Sequence, residues 1–384
     1  MKKTLFALAL CTAASGALAQ STFTTSASHA YLMDYDTGAV LLDKKGDELM
    51  APASMSKLMT AYVVFDKLKQ GQLSLDDTFT VSENAWRKGG SKSGSSTMFL
   101  DPNSTVKVGD LLKGVIIQSG NDACITLAEN LAGSEDNFAA EMTIKAREIG
   151  LEKSTFKNAT GWPNKEHLMT SKELAELARK IIREFPEYYP LYSEKSFKYN
   201  GINQENRNPL LYSMPDQADG MKTGHTEKSG YGLVGSAKST DGSRRLILVV
   251  NGLKTMKERG QEAKKILDWG FREFDNYTFY TKDSVVEQIP VWMGAVETVP
   301  GVVDENVVVT MKRLDYLKKK VTLIYEAPVK APIDKGQRLG TLRISLPDGE
   351  NYDFPVVAGE SVGKVGYFGK LKAVFIYMLS GKGE

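Results

Sequence analysis

Apolar and polar positions divide the chain into two regions of different texture. From residue 30 to about 276, alternating stretches that predict strands are mixed with longer stretches whose apolar positions recur every three or four residues, which predicts helices. After about residue 282 the segments are short, mostly rich in β-branched residues and separated by Pro, Gly and Asp turns, which predicts strands alone. The predicted strands of this second region span residues 285–293, 306–311, 320–325, 338–346 and 354–357.

The first region is predicted to form an antiparallel sheet flanked by helices, an α+β arrangement. Its first two strands are joined by a turn at Asp36-Thr37-Gly38, and a strand pair followed by a helix ends it. Strands at both ends with helices between them differ from a regular βαβ alternation, which disfavours a parallel sheet. The predicted helices span residues 52–71, 108–132, 134–149, 171–185 and 256–274, and the later strands span 231–237 and 244–251.

The first nineteen residues have the pattern of a signal peptide. Lys2 and Lys3 form a basic start, residues 5–14 are apolar, and Ala17-Leu-Ala19 has the small residues of a cleavage site. An anchor helix is the alternative, but this apolar run is shorter than the about 20 residues that cross a bilayer. We therefore expect an exported protein whose residues 1–19 are removed.

Charge and cysteine content exclude several classes of function. The chain has 49 Lys+Arg against 47 Asp+Glu, and removal of the signal peptide takes away two lysines, so no basic excess argues for nucleic acid. Cys11 leaves with the signal peptide, and Cys124 then has no partner for an internal disulfide. The three histidines and the cysteines show no metal-ligand spacing, so we expect neither a metal nor a cofactor.

A serine activated by lysine is the chemistry that remains. The chain has no Gly-x-Ser-x-Gly elbow and no phosphate-binding loop. In Ser54-Met-Ser-Lys57 the two side chains share one helix face, so the amine can accept the hydroxyl proton once burial or a nearby cation makes it neutral. The same spacing recurs at Ser104, Ser154 and Ser361, but only Ser54 heads a long apolar helix.

Two later motifs supply the groups that such a serine needs. Ser119-Gly-Asn121 opens an amphipathic stretch and places two polar side chains at a helix start, although ordinary N-caps have the same composition. Lys222-Thr223-Gly224-His225 places a cation and a hydroxyl on a predicted strand edge, where glycine would let a substrate backbone approach closely. Each motif alone is weak, but the ordered set indicates one site.

In this order the three motifs resemble those of the penicillin-binding proteins and serine β-lactamases. Longer segments are more specific: Gln-Ser-Gly-Asn-Asp-Ala-Cys124, Asn206-Arg-Asn-Pro and Gly220-Met-Lys-Thr-Gly-His-Thr resemble the low-molecular-mass D-alanyl-D-alanine carboxypeptidases of the penicillin-binding-protein-5 type. The resemblance covers the chain from about residue 30 to its end. It implies a penicillin-binding, serine β-lactamase-like domain over 20–280, an all-β domain over 281–365 and an amphipathic C-terminal helix over 366–384.

The resemblance implies an acyl-enzyme mechanism on peptidoglycan stem peptides ending in D-Ala-D-Ala, in cell-wall biogenesis and shape maintenance. Ser54 would attack the carbonyl between the two terminal D-alanines, with Lys57 as base. Ser119 would pass a proton to the leaving amine, and Asn121 would hold the acyl-chain amide. β-Lactam antibiotics would acylate the same serine.

The remaining implied roles concern binding. Lys222 would keep Lys57 neutral, Thr223 would bind the terminal carboxylate, and the backbone N–H of His225 would help that of Ser54 to stabilise the oxyanion. Two arginines complete the expected site: Arg259, at the start of the closing helix, as the carboxylate's cation, and Arg207 as a brace behind Lys222. A solvated helix-start arginine is the alternative for Arg259, and packing beside the groove is preferred for the His225 side chain.

Residues around these motifs have less specific interpretations. Cys124 is interpreted as a small buried residue, and the loop over 89–96 as part of the groove rim. A class A β-lactamase is the nearest alternative function, and Glu166 would then activate the deacylating water, but its sequence surroundings match the carboxypeptidases. A peptidoglycan-binding scaffold without activity would require a missing motif residue, and none is missing.

The last nineteen residues are predicted to form an interfacial anchor on the periplasmic face of the bacterial inner membrane. The stretch is too short to span a bilayer but has an apolar side, together with lysines available to anionic lipid. A helix packed on the second domain is the alternative. The apolar side comprises Phe368, Leu371, Phe375, Met378 and Leu379, and the lysines are Lys370, Lys372 and Lys382.

Overall fold

The computed structural model describes residues 23–366. The predicted signal peptide and all of the predicted C-terminal helix except Gly366 lie outside the described residues. Within 23–366, no helix has the length and apolar character needed to cross a membrane. The elements between His29 and Glu273 form the first domain, and those from Phe274 onward form the second.

The first domain contains eight of the described helices and nine of the described strands. The helices are α1 Lys57–Lys69, α2 Glu83–Gly89, α3 Val108–Lys113, α4 Asn121–Ala132, α5 Glu135–Glu148, α6 Ser171–Glu184, α7 Leu210–Ser213 and α8 Met256–Glu273. The strands are β1 His29–Asp34, β2 Val40–Lys44, β3 Thr78–Thr80, β4 Thr105–Lys107, β5 Ser196–Tyr199, β6 Ile202–Glu205, β7 Ala218–Thr226, β8 Gly230–Lys238 and β9 Arg245–Leu253.

A five-stranded antiparallel sheet organises the first domain, as the sequence predicts. Its order is β2-β1-β9-β8-β7, so the two ends of the domain meet where β1 pairs with β9. α8 covers one face, where Leu248 and Leu267 share an apolar cluster. α1 and α6 cover the other, and α1 is buried on nearly every side from Leu58 to Phe65. The long apolar helix predicted after Ser54 is therefore confirmed, and the structure shows that it is buried.

The predicted helix over 108–132 is interrupted in the structure. α3 ends at Lys113, a π-helical turn spans Gly114–Gln118, and Ser119 adopts a left-handed conformation with φ +65° before α4 begins at Asn121. Because the stretch is apolar on both sides of the interruption, hydrophobic periodicity did not reveal it. The interruption takes Ser119 out of the helical conformation and makes Asn121 the first residue of a new helix. π-Helical turns are frequent at functional sites.

The second domain consists of β-strands, as predicted, and one short helix. The sequence analysis did not predict this helix. Its main sheet has the order β14-β16-β17-β12-β11-β15, and β10 pairs with β13. Its core consists of apolar side chains such as Ile289, Val307 and Leu342. The elements are β10 Phe274–Tyr280, β11 Val285–Trp292, β12 Thr298–Val303, β13 Val307–Lys312, α9 Arg313–Tyr316, β14 Lys320–Tyr325, β15 Val329–Lys330, β16 Arg338–Ser345 and β17 Asn351–Ala358.

Candidate active site

The turn that carries Ser54 is packed tightly on two sides. Ser54 lies in a 3-10 turn immediately before α1. A Cβ atom on Gly161 would lie 2.1 Å from the carbonyl oxygen of Ala53, and one on Gly224 would lie 2.8 Å from that of Pro52. Glycine at both positions therefore lets the loop around residue 160 and strand β7 hold the turn between them.

Lys57 is buried beneath Ser54 and touches three oxygen atoms. Its Nζ lies 3.0 Å from Ser54 Oγ, 2.7 Å from Asn121 Oδ1 and 2.6 Å from the carbonyl oxygen of Thr160. Burial, with a smaller contribution from the nearby Arg207 guanidinium, lowers the pKa of Lys57 to about 8. The predicted serine–lysine pair is thus assembled, with an amine that is readily made neutral.

The loop of Ser119 and Asn121 is held by a carboxylate that the sequence analysis did not single out. The Asn121 N–H donates to the carbonyl oxygen of Ser96 at 2.7 Å. Asp122, fully buried, accepts from Thr97 Oγ1 at 2.6 Å and from the backbone N–H of Met98 at 2.9 Å. These bonds tie the chain around residues 96–100 to the start of α4 and fix the second motif.

Strand β7 presents the third motif at the edge of the sheet, as predicted. Lys222 and Thr223 are buried, and Lys222 Nζ donates to the carbonyl oxygen of Thr223 at 3.2 Å. The side of Gly224 that lacks a Cβ faces Pro52 and Met55. This glycine therefore makes room for the Ser54 turn, whereas the sequence analysis explained it by the approach of a substrate backbone.

Lys222 adds a second buried cation to the site. Its side chain is only 2% exposed. Burial, reinforced by the charges of Lys57 and Arg207, holds the pKa of Lys222 well below its usual range. Two lysines that disfavour each other's protonation are a means of keeping one of them available as a base.

Arg259 and His225 both lie against one aromatic ring, that of Tyr231. The His225 imidazole stacks on Tyr231 with ring centroids 3.9 Å apart, and the Arg259 guanidinium lies 5.8 Å from the same ring centre. Arg259 is buried, and its Nη2 donates to the carbonyl oxygen of Arg207 at 3.4 Å. Burial lowers the pKa of Arg259 to about 10. The arginine is therefore packed against Tyr231 of β8, and the solvated alternative is wrong.

Arg207 contacts the loop over 89–96, which the sequence analysis interpreted as part of the groove rim. Its Nη1 lies 2.5 Å from Ser96 Oγ, at the end of the Gly/Ser-rich loop over 89–96. The same serine accepts the Asn121 N–H through its carbonyl oxygen. Rim loop, second motif and Arg207 are thus joined through one residue.

The remaining candidates divide into buried and exposed side chains. Cys124 is fully buried, as predicted, and burial raises the pKa of its thiol to about 12. Glu166 is 73% exposed and pairs with Lys157 at 3.1 Å. A carboxylate in solvent does not suit the activation of a water beside Ser54.

Residues 23–366 contain no group of three or more His, Cys, Asp or Glu side chains arranged to hold a metal ion.

The Thr160 carbonyl was missed by the sequence analysis because a main-chain oxygen carries no residue identity. The signal that could have found it is Asn158-x-Thr160-Gly161, in which an asparagine precedes a glycine with φ +78°. The loop containing it runs between α5 and α6 and lies directly over Lys57 Nζ.

Comparison with known proteins decides the family. A family model described as D-alanyl-D-alanine carboxypeptidase matches residues 16–255, which is more than half of the chain. The chain belongs to the D-alanyl-D-alanine carboxypeptidase family. A second model, described as the penicillin-binding protein 5 C-terminal domain, matches residues 274–364. The chain is therefore a serine-type D-Ala-D-Ala carboxypeptidase with the two-domain fold that the sequence indicates.

Relatives of this carboxypeptidase cover most of its length. The chain is 42% identical over 343 residues to D-alanyl-D-alanine carboxypeptidase DacC of Escherichia coli, a match over 88% of this chain and 85% of that protein. Penicillin binding protein 5 from Haemophilus influenzae is a structural neighbour with a TM-score of 0.79 and 36% identity, covering 89% of this chain and 99% of the other. Penicillin-binding protein D2 from Listeria monocytogenes, solved in its ampicillin-bound form, has a TM-score of 0.56 and 30% identity, over 66% of this chain and all of that one.

Proposed function

We propose that the chain removes the terminal D-alanine from peptidoglycan stem pentapeptides through an acyl-enzyme on Ser54, in cell-wall biogenesis and shape maintenance, and that β-lactams acylate the same serine. The observation that carries this proposal is the set of contacts around Lys57. Two of its three neighbours, Asn121 Oδ1 and the Thr160 carbonyl oxygen, can only accept hydrogen bonds.

These contacts orient the amine for proton abstraction. A neutral amine has two N–H bonds and one lone pair. When the two N–H bonds point to Asn121 and Thr160, the lone pair is left for the hydroxyl hydrogen of Ser54, 3.0 Å away. In acylation the Ser54 oxygen bonds to the peptide carbonyl carbon, its proton passes to Lys57, and the C–N bond breaks once the leaving amine is protonated.

The other motif residues are assigned to the leaving group and the substrate ends. Ser119, buried beside Asn121, would relay the proton from Lys57 to the D-alanine nitrogen. Lys222, Thr223 and Arg259 would receive the terminal carboxylate. The charge of a carboxylate suits this place, since Lys222 and Arg259 are both buried and neither pairs with a carboxylate among the described residues.

The edge of β7 is assigned to the substrate backbone. An extended peptide can add to an exposed sheet edge through main-chain hydrogen bonds, and β7 ends the sheet. The backbone N–H groups of Ser54 and His225 would stabilise the oxyanion. Gly224 would contribute through the packing that brings the Ser54 turn against this edge.

D-Alanine release and covalent labelling test the function together. Wild-type protein should release D-alanine from a stem pentapeptide much faster than it hydrolyses penicillin, and intact-mass analysis should show one penicillin adduct. Ser54→Ala should show neither. Ser104→Ala is the matched control, because Ser104 also precedes a lysine by three residues but its hydroxyl bonds only the Asp101 carbonyl on the surface. A drug adduct on Ser54→Ala, or rapid penicillin turnover without D-alanine release, would refute the proposal.

We also propose that the protein acts on the periplasmic face of the inner membrane, held by residues 366–384. The support is the apolar side and the lysines of that segment. Expressed without residues 366–384, the protein should fractionate as soluble, active enzyme, whereas the full chain should sediment with membranes. A truncated protein that still sediments with membranes would contradict the anchor.

A further inference from the structure

The Thr160 carbonyl lies in a loop without regular secondary structure, yet it makes the shortest contact of Lys57 Nζ, at 2.6 Å. No strand or helix fixes the direction of this carbonyl group. Because its position determines where one N–H of the amine points, some other group must hold the peptide plane in place.

Asn158 holds that plane. Its Oδ1 accepts from the backbone N–H of Gly161 at 2.8 Å, and also from the N–H of Thr160 at 3.2 Å and of Trp162 at 3.1 Å. Its Nδ2 donates to the carbonyl oxygen of Trp162 at 3.1 Å. One carboxamide therefore replaces the backbone pairing that the loop lacks.

The bond to Gly161 has a direct geometric consequence. The N–H of Gly161 and the C=O of Thr160 belong to the same planar trans peptide and point in opposite directions. When Asn158 binds the N–H on one side, the carbonyl is directed to the other side, where Lys57 Nζ lies. The neighbouring peptide is held on both sides, because Asn158 accepts its Thr160 N–H and Thr60 Oγ1 donates to its Ala159 carbonyl oxygen at 2.8 Å.

We propose that Asn158 is a positioning residue for catalysis, which directs the Thr160 carbonyl onto Lys57 and so aims the amine's lone pair at Ser54. This inference rests on the proposed role of Lys57 as base. Asn158 itself touches neither Ser54 nor Lys57 in the described contacts; it acts through the main chain.

The effect of Asn158 on Lys57 should be visible in the pH dependence of the acylation rate, whose acidic limb reports the loss of a proton from Lys57. The carbonyl oxygen stabilises the protonated amine, so turning it away lowers the pH at which Lys57 loses its proton. Charged and titratable groups also face Lys57 from the elements around it, and they stay unchanged in the variants. These groups are Asp122 and Cys124 on α4, Glu135 on α5, His167 on the loop before α6, Arg207 before α7, and Lys222 on β7.

Asn158→Ala is the first test. The acylation rate constant for penicillin should fall roughly tenfold to a hundredfold at its plateau, since a small misplacement of a catalytic group has effects of this size. The acidic limb of its pH profile should at the same time move to lower pH. Rates are referred to the active fraction, measured as the end-point of covalent labelling, so a loss of folded protein does not imitate the effect.

Asn158→Asp is the conservative variant. A carboxylate oxygen still accepts from Gly161, so the plateau rate should stay within about threefold of wild type, while the added negative charge moves the acidic limb to higher pH. Asn164→Ala is the control in the same loop, because Asn164 Oδ1 accepts only the exposed N–H of Glu166 in the described contacts. It should leave rate and profile unchanged.

The outcomes separate this inference from the proposed function. Opposite movements of the acidic limb in the two variants support the positioning role. A wild-type pH profile in Asn158→Ala, or a lower rate with no movement of the acidic limb, would overturn the positioning role. The proposed function would be unaffected, because it is tested by D-alanine release and Ser54 labelling in the wild-type protein. If Asn158→Ala does not fold, Asn158→Asp decides alone: a plateau rate within about threefold of wild type together with a raised limb supports the inference, and a larger loss of plateau rate or an unmoved limb overturns it.

Discussion

The two domains bury different kinds of side chain. The first domain encloses three cations beside its sheet edge, and Lys57, Lys222 and Arg259 are each no more than 3% exposed. Among the described residues of the second domain, Thr310 is the only buried polar one, and the core is apolar. Burying charge without full pairing costs free energy.

This difference indicates that the first domain buries charged groups at a cost in folding free energy, and that the burial serves catalysis. In the first domain the unfavourable burial lowers the pKa of Lys57 to about 8, which is what a lysine base requires. Among the described residues of the second domain, no buried charge offsets the packing of side chains such as Leu342 and Ile344. A change to a buried cation should therefore affect rate, whereas a change to the apolar core should affect stability.

The largest effect is expected from Lys57→Ala. D-Alanine release and penicillin acylation should fall about 10²- to 10⁴-fold, the usual contribution of general acid–base catalysis. Lys107→Ala is the matched control, since Lys107 also follows a serine by three residues but pairs with Asp76 at the surface. Steady-state release and stopped-flow labelling measure both. A Lys57→Ala enzyme within tenfold of wild type would break the contrast between the domains.

Leu342→Ala should have the next largest effect, on stability alone. Leu342 is 1% exposed in the apolar core, so its truncation should lower the free energy of unfolding of the second domain by about 2 to 5 kcal/mol. Leu317→Ala, at a position that is 83% exposed, should change it by less than about 0.5 kcal/mol. Denaturant unfolding measures both, and penicillin labelling below the transition should remain at the wild-type rate. A slower labelling rate would show that the two domains are coupled.

A smaller effect is expected from acidification. Burial lowers the pKa of His167 from 6.5 to about 4, so the folded protein keeps this imidazole neutral. As the pH falls from about 6.5 to 4, the unfolded chain takes up a proton that the folded one does not, and stability should fall by about 1 to 3 kcal/mol. His167→Gln should remove this part of the pH dependence from the transition of the first domain. The second domain contains no histidine, so its transition should respond equally in both proteins.

Local geometry explains which parts of the site the sequence could predict. Ser54 and Lys57 are three residues apart at a helix start, so their contact follows from helical spacing. The position of Lys222 at a strand edge was predicted from its motif, although the hydrophobic pattern did not predict a strand over 218–226. The sheet, its flanking helices and the β-rich second domain were likewise predicted from periodicity and from the resemblance.

What could not be predicted depends on contacts between distant segments. Asp122 is an ordinary acidic residue in a helix until its bonds to Thr97 and Met98 are seen. Thr160 acts through its carbonyl oxygen, which every residue type has. The turn at 114–118 interrupts a stretch that remains apolar throughout, so no change in hydrophobic pattern marks it.

The position of β1 between β2 and β9 in the sheet has a consequence for how the chain reaches this structure. β1 begins at His29 and pairs along its whole length with β9, which ends at Leu253. A chain that emerges from its N-terminus, from a ribosome or through an export channel, therefore cannot close this sheet until more than two hundred further residues have followed. Pairings of such long separation in sequence are slow to form. The serine–lysine pair can form locally. The edge strand β7, which completes the site, can join the sheet only late, because it pairs with β8 near the end of the first domain.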